Sequence, residues 1–258
     1  MTPASPSPAL AGWVERAVAE TPVYDLHTHI YPPQLGPLLL RGIDELLNYH
    51  YLQAEALRAD SSISYEAFWS LAPARQAEFI WKTLFLDRAP LSEACRGVLT
   101  TLRMLGCDVA SRNLADYRAF FAGLTAEEHV DRVFRAANVH SAVMTNNVFD
   151  PEERACWQRA GAIDPRFKGV VRIDPLLRQW PQVGADLTAL GFPAQLPLDQ
   201  AARREIRRFL EQWIDRVQAL YLAASLTPAW RYPDDSPGTA LLDEVILPLC
   251  RERNLPFA

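Results

Sequence analysis

The stretch Val23-Tyr24-Asp25-Leu26-His27-Thr28-His29 constrains this chain more than any other. A mostly apolar run ends in two histidines one residue apart. Side chains along a β-strand point to alternate faces, so in a strand His27 and His29 share a face, with Asp25 one step deeper. Two imidazoles side by side at the carboxyl end of a strand can chelate one metal ion. An isolated histidine pair would more simply be a polar strand face. The strand context and the neighbouring Asp25 favour the metal reading.

The rest of the chain reads as scaffold for that strand. Residues 1–8 are rich in proline and serine and read as a disordered tail. Residues 9–20 read as an amphipathic helix with Leu10, Trp13, Val14 and Ala17 on one face, stopped by Thr21-Pro22. Tyr31-Pro32-Pro33 ends the strand just beyond the histidines. Residues 35–124 then carry helical periodicity, too much chain for an ordinary loop. The expectation is a helical insertion covering an active-site mouth. Phe68, Trp69, Phe79, Trp81 and Phe85 read as its packed core rather than a substrate platform. Ser92 is placed as a helix N-cap and Gly106 as a helix stop.

Beyond the insertion, strand and helix alternate. Helices are expected at residues 125–138, 151–160, 198–217 and 239–253, and strands at 141–146, 167–175 and 219–226. Thr125 followed by two acidic residues looks like a helix start, and Pro151 suits a first helical turn. Arg203, Arg204, Arg207 and Arg208 are interrupted by Glu205 and Glu211 and read as a solvated face. His129 and His140 read as surface or helix-end residues. Leu255-Pro256-Phe257-Ala258 looks like the opening of a fifth strand. Such alternation predicts an α/β fold with a parallel sheet and right-handed crossovers. A TIM (β/α)8 barrel needs eight strands. These residues supply four and a beginning, so the expected fold is about the first half of a barrel in a chain that continues. The expected divisions are a tail and helix at 1–22, a partial barrel at 23–34 and 125–258, and the insertion at 35–124.

Composition excludes several classes. The chain is 49% hydrophobic and 22% charged, as globular proteins are. A net charge of −5 argues against nonspecific nucleic-acid binding, which needs a basic surface to displace counterions. The four cysteines form no Cys-x-x-Cys pair and read as reduced thiols of a cytoplasmic protein. The N-terminus lacks the basic start and apolar core of a signal peptide, and no apolar run is long enough to span a bilayer. A small-molecule substrate is expected, with no nucleic-acid or membrane partner. A homo-oligomer is compatible with these features. No Gly-rich phosphate loop, Gly-x-Ser-x-Gly elbow or His-Glu-x-x-His motif is present.

Asp25-x-His27-x-His29 after an apolar first strand resembles the amidohydrolase superfamily, metal-dependent enzymes built on (β/α)8 barrels. Within it, the Tyr-Asp-x-His-x-His opening and large helical insertion resemble the uronate isomerases (glucuronate isomerases). Those enzymes carry Gly-Asp-His-Tyr and then an arginine in the insertion. Here His50-Tyr51 leads to Arg58, without the Gly-Asp and with one residue more before the arginine. Residues 79–106 resemble the family segment in which a Trp, a Leu-x-Leu stretch and a helix precede Phe-Gly. Met144-Thr145-Asn146-Asn147-Val148-Phe149-Asp150 resembles the second strand's Thr-Asp-Asp-Pro ending, with Asn for Asp. Val171-Arg172-Ile173-Asp174-Pro175 resembles the third strand's Phe-Arg-Pro-Asp.

The resemblance implies aldose–ketose isomerisation of hexuronates, D-glucuronate to D-fructuronate and D-galacturonate to D-tagaturonate. It implies His27 and His29 as ligands of a divalent ion, zinc first, with manganese, iron or cobalt also suited. Arg172 and Arg58 are the implied substrate-binding residues, and His50 and Tyr51 the implied catalytic ones. An arginine fork suits a substrate carboxylate. Arg172 equally suits a structural pair with Asp174 or Asp150, His50 an exposed helix edge, and Tyr51 packing. The family's last metal ligand, an Asp after the eighth strand, and a histidine on the fifth would fall beyond Ala258, so the 258 residues alone are expected to be inactive. Two rivals remain on the sequence: a metal-dependent hydrolase or decarboxylase acting on a small carboxylate or lactone, and a non-catalytic fragment.

Overall fold

The structure is a computed structural model describing residues 8–194 and 197–258. The tail expected at residues 1–8 lies outside the described residues as far as residue 7. The chain divides into two compact units, residues 1–23 with 39–140, and residues 24–38 with 141–258. The helix after Thr125 falls in the first of these units.

In the first unit, α1 (Pro8–Glu20) shows Leu10, Trp13, Val14 and Val18 to solvent. The helical periodicity of the insertion begins as two helices, α2 (Ile43–Leu47) and α3 (His50–Ala59), which meet at Asn48-Tyr49. α4 (Tyr65–Trp69), α5 (Pro73–Trp81), α6 (Glu93–Met104) and α7 (Leu114–Ala122) follow. Their shared core includes Leu47, Phe68, Ile80, Phe85 and Leu102, all at 0–1% exposure. Trp81 stacks on Phe85 with ring centroids 4.5 Å apart, whereas Trp69 stays 47% exposed. Most of the aromatic cluster is therefore core, as its helical spacing suggested. Arg118 ties α7 to α2 and α5, through Asp44 at 2.9 Å and Glu78 at 3.0 Å.

The helix punctuation is chemical. Ser92 Oγ accepts the Cys95 N–H at 3.1 Å, and Gly106 takes φ +93° where α6 has ended. A side chain is strained there. Thr125 and Glu128 form a reciprocal capping box at the start of α8 (Ala126–Ala136). His129 is not a surface residue. It is 8% exposed, because it lies on the inner face of α8 with Val130 and Phe134.

Strands β1 (Val23–Thr28), β2 (Val139–Asn146), β3 (Phe167–Arg172) and β4 (Ala219–Ala223) form a sheet in that order. β2 with β3 and β3 with β4 pair in parallel, so their carboxyl ends share one edge. Phe257 continues the series through a parallel bridge to Leu222, where the sequence placed a fifth strand. Helices make the crossovers. α9 (Pro151–Arg159) is capped by Asp150, whose Oδ1 accepts the Glu153 N–H at 2.8 Å. α10 (Asp174–Arg178) and α11 (Trp180–Ala189) have no counterpart in the sequence reading. Pro175, read as the end of the third strand, and Pro181 occupy first helical turns, where a missing N–H costs nothing. α12 (Gln200–Val217) leads into β4, then α13 (Pro237–Leu241), a π-helical turn and α14 (Leu247–Arg253) return to the edge.

Gly169 shows how tightly the layers approach. A Cβ built there would lie 2.2 Å from the Val217 carbonyl oxygen. All four cysteines are unbridged. Among the described residues no helix is long and apolar enough to cross a membrane.

Candidate functional site

Strand β1 delivers both histidines to its carboxyl end. Their ring centroids lie 5.2 Å apart with planes at 79°. With metal–nitrogen bonds of about 2.0–2.1 Å at near-tetrahedral angles, two imidazoles on one ion hold their centroids roughly 5 Å apart. The pair therefore fits as two ligands of a single ion. Among the described residues, no group of three His, Cys, Asp or Glu side chains is placed to hold a metal. Asp25 turns its Oδ1 to the His27 backbone N–H at 3.1 Å, which ties its carboxylate to the strand.

At the end of β3, Arg172 donates through Nε to Asp174 Oδ2 at 2.9 Å. The other oxygen, Oδ1, accepts the backbone N–H of Ser225 just beyond β4. Of the two partners offered by the sequence, Asp174 rather than Asp150 is the one taken. Burial alone would raise the Asp174 carboxyl, but the bonds from Arg172 and Ser225 outweigh it and hold it below the usual carboxylate range. The Nη groups of Arg172 have no hydrogen-bond partner among the described residues. Arg172 lines a pocket of about 180 Å3 with Asn147, Asp174, Pro175, Arg178 and Gln179.

Beside this pocket the end of β2 is locked. Asn146 Nδ2 donates to Glu153 Oε1 at 2.9 Å, and the Asn147 N–H donates to Oε2 at 3.0 Å. Burial pushes the Glu153 carboxyl up, with those bonds opposing. Tyr31, two residues past His29, is pushed up to about 12, first by burial and then by the Glu153 carboxylate, while Arg172 pulls the other way.

The remaining sequence candidates lie in the first unit. His50 opens α3, with its ring 4.3 Å from Tyr49 and 4.2 Å from Tyr51. Tyr51 is 62% exposed, so it packs only against these neighbouring rings and not in the core. Arg58 is exposed in the last turn of the same helix. The structure brings His50 and Tyr51 together, and it brings His27 and His29 together.

This fold is shared with a solved protein. The chain superposes on a crystal structure of a uronate isomerase from Bacillus halodurans C-125 with TM-score 0.93 and 42% identity, over 98% of this chain. Over that stretch the chain is similar to the uronate isomerase in both sequence and fold. It spans about 60% of that enzyme's length. A crystal structure of a glucuronate isomerase from Caulobacter crescentus matches with TM-score 0.65 and 15% identity, over 98% of this chain and 61% of that one. That second likeness is one of fold. No family model and no curated protein matches the sequence. The α/β architecture expected from the sequence corresponds to the first half of a uronate isomerase barrel.

Tyr31 and Glu153, which the structure places at this edge of the sheet, were given no role from the sequence, and Asn146 entered only through the second-strand resemblance. Glu153 sits three residues after the N-cap Asp150 and reads as an ordinary acidic first turn. Its only local anomaly is that it is 6% exposed, which a sequence does not display. Tyr31 lay in view, directly after the histidines, but read as a strand terminator.

Proposed function

We propose that this chain carries the amino-terminal part of a hexuronate aldose–ketose isomerase, converting D-glucuronate to D-fructuronate and D-galacturonate to D-tagaturonate. The 42% identity to a uronate isomerase over 98% of the chain carries this reading. The reaction moves a proton between C2 and C1 of the sugar through an enediol, so the site needs a base, a polarising group and a grip on the carboxylate.

His27 and His29 would hold a divalent ion, with zinc the first choice. Such an ion supplies polarisation of a sugar oxygen. Arg172 would take the substrate carboxylate, because a planar guanidinium bonds both of its oxygens at once. Arg58 is the second substrate contact. His50 and Tyr51 would exchange protons with, or hold, the sugar hydroxyls. Part of the ligand set and the base would come from residues outside this chain, so we expect the 258 residues to bind but not turn over.

Titration of the zinc-loaded chain with D-glucuronate and with neutral D-glucose, followed by calorimetry, tests the reading. Saturable uronate binding without glucose binding supports it. Equal responses to the two sugars, or no response to the uronate, would overturn it.

A further inference from the structure

We propose that Asp174 is a positioning residue for the substrate carboxylate: it grips Arg172 at Nε and so presents the guanidinium's Nη edge to the pocket. This rests on the uronate reading above.

A guanidinium has two edges able to meet a carboxylate side-on, one formed by Nε with an Nη and one formed by the two Nη groups. Asp174 occupies Nε with one oxygen at 2.9 Å. The end-on edge is left for a ligand. The anchor is the fixed member of the pair, since the Asp174 side chain is 8% exposed and that of Arg172 is 40%. Asp174 cannot swing away either, because its second oxygen holds the Ser225 N–H. The neighbouring Ile173 N–H, bonded to the Ala223 carbonyl at 2.8 Å, ties the same strand ends together. One carboxylate thus connects the end of β3, the end of β4 and the orientation of the arginine.

The charge in the pocket agrees with this role. Its lining carries Arg172 and Arg178 against Asp174, one cation in excess. A monocarboxylate balances that excess, whereas a neutral sugar leaves it unmet.

Asp174→Asn keeps the size of the side chain but must lose one bond. Whichever way the amide turns, its NH2 faces either Arg172 Nε–H or the Ser225 N–H. The experiment is calorimetric titration of wild type, Asp174→Asn and Arg172→Ala with D-glucuronate and D-glucose, with a thermal melt of each. The expected result is a Kd for D-glucuronate about tenfold higher in Asp174→Asn, the loss of roughly one charge-assisted bond's worth of orientation. Glucose should behave as in wild type.

Failure of the wild type to prefer glucuronate, or of Arg172→Ala to weaken it, overturns the uronate reading itself. A selective wild type with an unchanged Asp174→Asn overturns only the positioning role. Equal changes for both sugars would mark Asp174 as structural and also overturn it. If Asp174→Asn does not fold, 15N spectra of wild-type arginine side chains decide. The Arg172 Nε–H signal should stay put while its Nη signals move on uronate addition, and a moving Nε signal overturns the proposal.

Discussion

Asn146 donates to Glu153 at 2.9 Å, and the two side chains are 0% and 6% exposed. The bond joins the last residue of β2 to the first turn of α9, so the loop between them cannot drift from the sheet's carboxyl edge. Glu153→Ala strips an acceptor from both Asn146 Nδ2 and the Asn147 N–H. A buried donor left unmatched costs about 1–3 kcal/mol. Urea unfolding should show a loss of that order at neutral pH, and an unchanged midpoint would deny the bond its structural role.

The same carboxyl carries a pH signature. Its folded-state pKa lies above the ordinary 4.5, because of burial. Between the unfolded and folded values the native chain therefore binds more protons than the unfolded one. The group's contribution is full below pH 4.5 and falls as pH rises through the folded value. The penalty of Glu153→Ala should accordingly be largest in acid and shrink toward neutrality. Paired unfolding curves of wild type and variant at several pH values read this directly, and a penalty that grows with pH would contradict the burial argument.

Gly169→Ala tests the close approach of α12 to the sheet. The new methyl would sit 2.2 Å from the Val217 carbonyl oxygen and 3.1 Å from its carbon, both backbone atoms that cannot rotate aside. Overpacking of this kind costs about 1–3 kcal/mol. At Gly161 a Cβ meets nothing within 4 Å, and its φ is not left-handed. Gly161→Ala should leave stability level or raise it by about 0.4–1 kcal/mol through the unfolded chain. Thermal melts of the two variants should diverge in sign or in size.

The pattern of what the sequence displayed follows from the range of the interactions. Helix starts at Ser92 and Thr125 depend on atoms three residues away, so a local reading finds them. His27 and His29 share a strand face by period alone. Asp174 illustrates the opposite case: its bond to Arg172 was open to reading, but its bond to Ser225 spans 51 residues and was not. His129 failed for a related reason, since the polar letter suggested surface while its helix turned that position inward. The helices between Pro175 and Pro197 were missed because proline is both a breaker and a first-turn residue, and its neighbours alone do not say which.

His129 should make the first unit acid-sensitive. Its Nδ1 has no hydrogen-bond partner among the described residues, and burial, then the nearby Arg41 charge, pull its pKa below 6.5. The unfolded chain therefore takes up a proton first as pH falls. Stability is full above pH 6.5 and is lost as pH drops toward the folded value, by up to about 1.4 kcal/mol per pH unit for one proton. His129→Phe, placed against Phe121 at the present ring distance of 5.9 Å, removes the proton-binding group. Its unfolding free energy should depend less on pH below 6.5 than that of wild type. Parallel slopes would show that other groups carry the acid dependence.

The pairing of Leu222 with Phe257 sets a last expectation. Leu222 donates its N–H to the Pro256 carbonyl at 3.0 Å, Ala258 returns a bond to Leu222 O at 3.0 Å, and Ala224 donates to Ala258 O at 2.9 Å. Proline is harmless here, because Pro256 contributes only an acceptor to the ladder. Removing residues 255–258 would leave the Leu222 and Ala224 amides without acceptors at an open strand edge. Each lost bond of about 1 kcal/mol corresponds to amide hydrogen exchange faster by roughly five- to tenfold. The Ala142 N–H, bonded to the Arg166 carbonyl at 2.9 Å between β2 and β3, is the internal control and should keep its rate. Acceleration confined to Leu222 and Ala224 would establish residues 255–258 as the start of the next strand. Unchanged rates at both would mean that these residues do not pair with β4 in solution.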